Sequence, residues 1–450
     1  MVLLSGCAQI QSVKSTLFPQ KSAEMTAETM DVDLTTETAA NSNKSITPPA
    51  VTGTAGADLT IAPTGNGQTT PESTITPGIQ NITIWIPPQF DPSQKNEAAQ
   101  SLNKLFTDFM TNNPNIKITL RIKSTSGDGS ALNTMTAAKN AAPDVIPTLV
   151  MLNKEDLEAA VQKGLVYPIT TTLFSEAESW YSYASQASVI NNTVYGIPVA
   201  GDALVLAYRP SKTGAAMTDW PDILSRGLRI AFVPSSSDAL FPTFIYKSMG
   251  GKISNDQGQP WLDQTVLTDT LNFFLEGAQS GVFPPSLSQI PDQTQSWQLF
   301  TEGTVYMIVS RFSSYKHYLT TDMAAIAMPG FDKTPDYPMT DVWSLAVSSS
   351  NPQVQEIAVK IAEMMAEPVF NDIWTHEAGY LPVRVSDHKT WENDPNLEIV
   401  NEICPRASLI PNETILDAIT PVLNEAVTNV IKSSAAPDAA AEAAISKIKQ

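Results

Sequence analysis

The chain is short of cysteine, histidine and positive charge, and each shortage removes a class of function. Two cysteines, Cys7 and Cys404, stand in 450 residues, too few for a disulfide framework and without zinc-ligand spacing. Three histidines, His317, His376 and His388, are scattered through the C-terminal half. Metal ligation is therefore not expected, and acid–base chemistry would have to rest on carboxylates. Lysine and arginine number 27 against 46 aspartates and glutamates, a net charge of −19. A nucleic-acid binder presents the opposite, a basic patch or stripe, and no polybasic helix for a membrane surface is present. No stretch of eighteen apolar residues occurs, so none reads as a membrane-spanning helix. What remains is a chain with 42% apolar and 16% charged residues, long enough for two or three domains with sizeable cores.

Catalytic motifs are missing too. The chain has no G-x-S-x-G, no H-E-x-x-H and no phosphate-binding glycine loop. Among its S-x-x-K matches, Ser101 to Lys104 and Ser313 to Lys316 accompany one K-T-G, Lys212 to Gly214. Ser313 follows the K-T-G instead of preceding it, and no S-x-N lies between Lys104 and Lys212. These are chance matches to a serine acyl-transferase pattern. The sequence is read as a non-enzyme, with no cofactor and no metal.

Leu4-Ser5-Gly6-Cys7 resembles the lipobox of bacterial lipoproteins, in which the cysteine is acylated. Six residues precede Cys7, whereas a secretory signal carries a basic start and 7–15 apolar residues. Either the start is truncated or misassigned, or Cys7 is a chance match; residues 1–7 are read as the remnant of such a signal. Residues 8–80 are rich in Thr, Ser, Ala and Pro and hold three basic and seven acidic side chains. Such a segment cannot bury enough apolar area to offset its ordering entropy, so a disordered tether is expected. If flexible it would span about 45 Å. An anchored cysteine, a tether and then a globular part form the layout of a surface lipoprotein.

Patterned sequence begins at Asn81. Ile82 to Ile86 is an apolar run of strand type, and Ala98, Leu102, Leu105, Phe106 and Phe109 recur at helical spacing. Asn113-Pro114-Asn115 breaks that helix, and Ile116, Ile118, Leu120 and Ile122 alternate as a strand. Strand, helix and strand make a right-handed βαβ unit with parallel strands. Further strands are expected at 144–150, 204–208, 228–233, 304–309, 323–328 and 343–347. Helices are expected at 132–141, 155–162, 265–280, 292–302 and 352–366, and throughout the end of the chain from Glu413. The fold class is α/β, with ligands expected beyond the carboxyl ends of the strands.

Several segments in order resemble the bacterial extracellular solute-binding proteins of ABC importers, the family of maltose- and other sugar-binding proteins. They are Ile84-Trp85 with Asn113 to Ile118, Ala142 to Ile146 with Lys163 to Pro168, and Asn192 to Val199 running into Leu204 to Tyr208. Leu299 to Gly303 before Tyr306-Met307, Met328 to Gly330 before Trp343 to Ser348, and Gly379 to Arg384 complete the series. The resemblance implies a two-lobed periplasmic-binding-protein-like fold of type II, with lobes joined by crossing hinge strands and a helical C-terminus. It places one lobe at 81–200 plus 318–372 and the other at 204–315 plus 376–450. It implies capture of a small solute, most often a carbohydrate, at the cell surface or in the periplasm, by a monomer anchored through Cys7 that delivers to permease subunits.

A sugar presents hydroxyls that need polar partners and C–H faces that stack on aromatic rings. At the loops where the family builds its site, the resemblance points to Trp85, Gln89, Asp144, Asp202, Arg311, Phe312, Trp343, Tyr380 and Arg384. Trp85 could equally be core, and Asp144 a loop cap. Asp202 lies in the crossing segment where relatives place an acidic sugar contact. Arg311 departs from the aromatic found there in relatives and could pair with an anion or with Asp202. Trp261 and Trp297 sit where core tryptophans are more common. Two other readings stay open: a surface sensor or adhesion lipoprotein, and a binder of a charged solute such as a polyamine or sugar phosphate.

Overall fold

The computed structural model describes residues 78–175, 179–214, 217–234, 240–332 and 339–448. The chain divides into two units, Met1–Ser73 and Thr74–Gln450, and only the second contains described residues. Cys7 and nearly all of the expected tether therefore lie outside them.

Eleven strands occur in the described residues. They are β1 (Gln80–Ile86), β2 (Ile116–Ile122), β3 (Leu149–Leu152), β4 (Val189–Ile190), β5 (Thr193–Val194) and β6 (Gly196–Tyr208). The rest are β7 (Ile230–Ala231), β8 (Met307–Arg311), β9 (Ala324–Ala327), β10 (Met339–Val347) and β11 (Ser408–Leu409). β4 and β5 form a separate hairpin; the others join one sheet in the order β2-β1-β3-β10-β6-β8-β7, with β11 beside β10 and β9 beside β6. β1 is parallel to both β2 and β3, so the expected βαβ unit is present, closed by the helix Glu97–Asn112.

Both faces of that parallel part are covered. Ile82, Ile84 and Ile86 point one way into the larger core with Leu102 and Phe106 of the helix. Trp85, Val150 and Leu152 point the other way against Met135 and Leu157. Alternation along a strand sends successive side chains to opposite faces, which is why Trp85 separates from its isoleucine neighbours. The helix itself starts at Asn96, whose side chain accepts the Ala99 N–H at 2.8 Å, a conventional cap.

β6 is the strand that positions everything else. Its residues 196–203 pair antiparallel with β10, and its residues 204–208 pair antiparallel with β8 and β9. Thirteen residues of extended chain reach about 43 Å, enough to run from one group of strands into the other. The later chain returns against its middle: Gly201 and Leu381 exchange both backbone hydrogen bonds at 2.8 Å. Asn371, fully buried, donates to the Val199 carbonyl and accepts from the Val383 N–H, tying that return in place. β9 pairs with the same half of β6 as β8 does, so residues 324–327 sit with the second group of strands.

Many expected elements occur where the pattern put them, with five strands differing and several helices, among them Ser182–Ala187, Leu240–Ser248, Pro368–Ala378 and Leu397–Ile403, not expected. β8 is paired over Met307–Arg311 where 304–309 is expected, and β10 begins four residues before the expected Trp343. The expected strand at 144–150 is a 3-10 turn at Pro143–Val145 followed by β3 at Leu149–Leu152, because Pro143 and Pro147 lack the N–H that a ladder needs. The strand expected at 228–233 is paired only over Ile230–Ala231. β6 begins eight residues before the expected Leu204, since the Gly, Pro and Ala residues of its first half hide its strand character.

Gly201 meets a tight neighbour. A Cβ there would lie 2.7 Å from the Tyr183 hydroxyl and 2.8 Å from its ring. Tyr183 is buried and its hydroxyl donates to the Pro382 carbonyl, so it has no easy retreat. Gly201→Ala should lower stability by about 1–3 kcal/mol, read as a reduced urea midpoint. A change within about 0.5 kcal/mol would mean that Tyr183 yields.

Candidate functional site

Where β6 and β10 lie side by side they floor a cavity of 570 Å³. Asp202 of β6 and Asp341 and Trp343 of β10 line it from the strands, and Gln89 from the loop after β1. Arg311 closes β8, and Tyr380 comes from the returning segment. Five residues that the sequence singled out thus converge: Gln89, Asp202, Arg311, Trp343 and Tyr380. A second cavity of 400 Å³, bounded by Phe232, Phe241, Val309 and Ser310, adjoins it and shares Leu240, Arg311 and Ser314.

The other four candidates sit elsewhere. Trp85 is 1% exposed in the smaller core, with the Lys123 ammonium 4.4 Å from its ring centroid. Asp144 is exposed in the turn Pro143–Val145. Phe312 is fully buried beside Tyr315 and Trp391. Arg384 stacks its guanidinium 4.3 Å from the Trp180 ring centroid and donates to the Ser179 hydroxyl. Trp297 is also core.

The aromatic wall is braced from below. Phe90 packs edge-on against Trp343 with centroids 5.7 Å apart and against Tyr380 at 4.9 Å. Phe90 in turn rests on Trp374 at 5.2 Å. Gln89 and Phe90 share one 3-10 turn, Pro88–Phe90, so a single bend presents an amide to the cavity and a ring to the core. Burial pushes the Tyr380 hydroxyl above its ordinary pKa, with Asp202 adding to it.

Asp202 does structural duty as well. Its carboxylate accepts the Ser313 N–H at 3.0 Å and the Ser313 hydroxyl at 2.6 Å, closing the first turn of the helix Phe312–Tyr318. Burial pushes its pKa up to about 6 against the pull of Arg311 and Ser313. Arg311 donates from Nη1 to the Asp202 carbonyl at 3.2 Å, one of the two pairings that the sequence left open.

Sequence reasoning missed Asp156, Asp341 and Asp417. Asp341 left a signal: it is an acidic residue inside the nine-residue strand Met339–Val347, buried throughout. It accepts the N–H groups of Lys154 and Val342 at 3.3 and 2.8 Å. Asp156 lies in the first turn of the helix Lys154–Gln162, where an acid is ordinary and therefore silent. Asp417 and Thr420 belong to the helix Glu413–Ile431, whose interior contains Pro421.

Similarity to known proteins agrees with this geometry. A family model described as bacterial extracellular solute-binding protein matches residues 104–399. No curated protein matches the sequence. Among solved structures, maltose-bound MalE3 of T. maritima superposes with TM-score 0.64 at 15% identity, over 82% of this chain and 99% of that one. The cyclic alpha-maltosyl-1,6-maltose binding protein from Arthrobacter globiformis gives 0.66 at 13%, over 82% and 98%. The maltose/maltodextrin-binding domain MalE from Bdellovibrio bacteriovorus, bound to maltotriose, gives 0.60 at 20%, over 82% and 99%. The likeness establishes the fold: mixed α/β, of the two-lobed solute-binding type. Among the described residues no helix is long and apolar enough to cross a membrane.

Asp156 provides a test of the site's electrostatics. Burial first, then Asp341 and Glu413, push its pKa from 3.8 to about 6, with Lys163 opposing. Between those values the folded protein binds more protons than the unfolded chain, so the contribution of Asp156 to stability falls as pH rises through the window. Asp156→Asn should therefore be more stable than wild type at pH 7, by roughly 1–3 kcal/mol. In urea melts the two should converge below about pH 4. A gap that persists there would assign the effect to something other than the charge.

Proposed function

The chain belongs to the bacterial extracellular solute-binding protein family, and we propose that it captures a carbohydrate in the cavity astride β6 and β10 and delivers it to the permease of an ABC importer. One observation carries the carbohydrate reading: two aromatic rings, Trp343 and Tyr380 braced on Phe90, share the lining of one cavity with amide, carboxylate and hydroxyl groups. Rings take the C–H face of a pyranose, and the polar rim takes hydroxyls that would otherwise be buried without partners. The volume of 570 Å³ falls within the range of about 300–1,000 Å³ usual for small-molecule pockets. The names of the neighbouring structures, with maltose and maltotriose bound, support the same class.

In this reading Gln89, Asp202, Arg311, Trp343 and Tyr380 touch the solute. The lobes are read as residues 81–200 plus about 339–372 and 204–327 plus 376–450, the pairing of β9 to the second half of β6 supporting a crossing nearer Met339 than the 318 expected from the sequence. Closure is a hinge motion about the crossing segments, which brings the two sides of the cavity together. The protein works outside the cytoplasm as a monomer, held to the membrane by a lipidated Cys7 and the 8–80 tether. It carries out no catalysis and needs neither cofactor nor metal, the energy of transport coming from a separate ATPase.

The reading is tested by thermal shift of the full chain against mono- and oligosaccharides. A ligand at 100 times its dissociation constant adds about 2.7 kcal/mol to stability, a clear rise in midpoint. Trp343→Ala should weaken a saccharide found this way by about tenfold or more, the loss of one aromatic stacking partner. A midpoint unmoved by every saccharide removes the carbohydrate class; a hit indifferent to Trp343→Ala removes this cavity as its site.

A further inference from the structure

Charge is spread very unevenly over the 570 Å³ cavity. Its lining carries five carboxylates, those of Glu155, Asp156, Asp202, Asp341 and Asp417, and one guanidinium, that of Arg311. Arg311 already donates to the Asp202 carbonyl. Asp202 and Asp341 are direct cross-strand partners between β6 and β10, and both are buried, 7% and 8% exposed. Like charges facing each other across a sheet are destabilising, and burial strengthens the repulsion.

An anionic solute does not relieve this. Helix N-termini are the usual place for an anion, but those at this cavity are closed by the chain itself. Asn153 takes the Asp156 N–H at 2.8 Å, Asp341 takes that of Lys154, and Asp202 takes that of Ser313. On the helix Glu413–Ile431, Asn412 takes the Ile415 N–H at 3.0 Å.

The helix Glu413–Ile431 adds acceptors of its own to the lining. Thr420 lines the cavity and is 2% exposed, yet its hydroxyl finds no hydrogen-bond partner among the described residues. Its neighbour Pro421 has no N–H to give to the carbonyl of Asp417 one turn earlier. A bare metal ion is a poor match to these groups. No three acidic, histidine or cysteine side chains gather closely enough to hold one among the described residues. Acceptors distributed around a cavity suit an ammonium group, with three donors, carried on an organic frame.

Resting on the reading of this cavity as the solute site, we infer that the solute carries a protonated amine, borne by an amino sugar or by a linear polyamine. Charge-assisted hydrogen bonds are shorter and stronger than neutral ones, and here they also cancel repulsion within the site.

The experiment is calorimetric titration of the full chain near pH 7 with four probes. Three are disaccharides of one linkage: the β-1,4-linked dimer of glucosamine, its N-acetylated form, and cellobiose. The fourth is spermidine. The amine-bearing disaccharide should bind about ten- to a hundredfold more tightly than the two neutral ones. Its affinity should fall as salt rises, and fall again in Asp417→Asn and in Asp156→Asn, neither of which removes a cap the fold depends on. Spermidine binding without any disaccharide would uphold the amine and overturn the carbohydrate reading. Neutral disaccharides binding as tightly as the amine would overturn this inference and leave the carbohydrate reading standing. No binding by any of the four would overturn this inference, and the carbohydrate reading would then stand or fall on the wider saccharide screen.

Discussion

A single strand, β6, has both of its halves committed to different partners, and the remaining architecture is arranged around that fact. Twelve of its thirteen residues are buried, and its backbone is shared among β10, β8 and β9. Such a strand must be apolar or small along its whole length, and it leaves room for few exceptions. The one acidic exception, Asp202, sits at the change of partners. There its carboxylate holds the first turn of the helix Phe312–Tyr318, and its carbonyl receives Arg311. The residue that faces the cavity is thus also the residue that joins the two halves of the sheet to the next helix.

Much of the fold was legible because its signals are local. Alternation in Ile116 to Ile122 and the 3.6-residue spacing in residues 97–112 report on burial directly. The helices at 264–279, 293–301 and 352–365 end within two residues of their expected limits. Strand character failed to show where proline or small residues carried the chain, as before β3 and in the first half of β6. There the extended state is set by tertiary pairing, with Gly201 fitted under Tyr183, and side-chain propensity contributes little.

The site was legible in part, and the division has a physical basis. Asp202, Trp343 and Tyr380 lie on or beside the segments that together carry the resemblance to the family, and they converge with Gln89 from the turn after β1. Phe312 lies between two cavity-lining residues, Arg311 and Ser313, and the rotation of the helix turns it into the core; Trp85 lies on a strand buried on both faces, between two core isoleucines. Asp156 and Asp417 were passed over because an acid near a helix start, or one on a helix face, resembles ordinary surface charge, whereas Asp341 stands inside an otherwise apolar buried strand and was legible there. Their meaning comes from being brought together, and only the three-dimensional arrangement shows that Asp341 opposes Asp202 and raises Asp156.

The Phe90 brace has a consequence for how binding is felt by the rest of the molecule. Trp343 and Tyr380 both lean on one ring, which leans on Trp374, itself in the helix Pro368–Ala378. Rings locked in this way lose little freedom when a flat ligand settles on them, so the entropic penalty of ordering the wall is met at folding. They also cannot move one at a time. A ligand that displaces either ring displaces the turn Pro88–Phe90 and the Pro368–Ala378 helix with it, which makes the wall a lever whose far end lies outside the cavity.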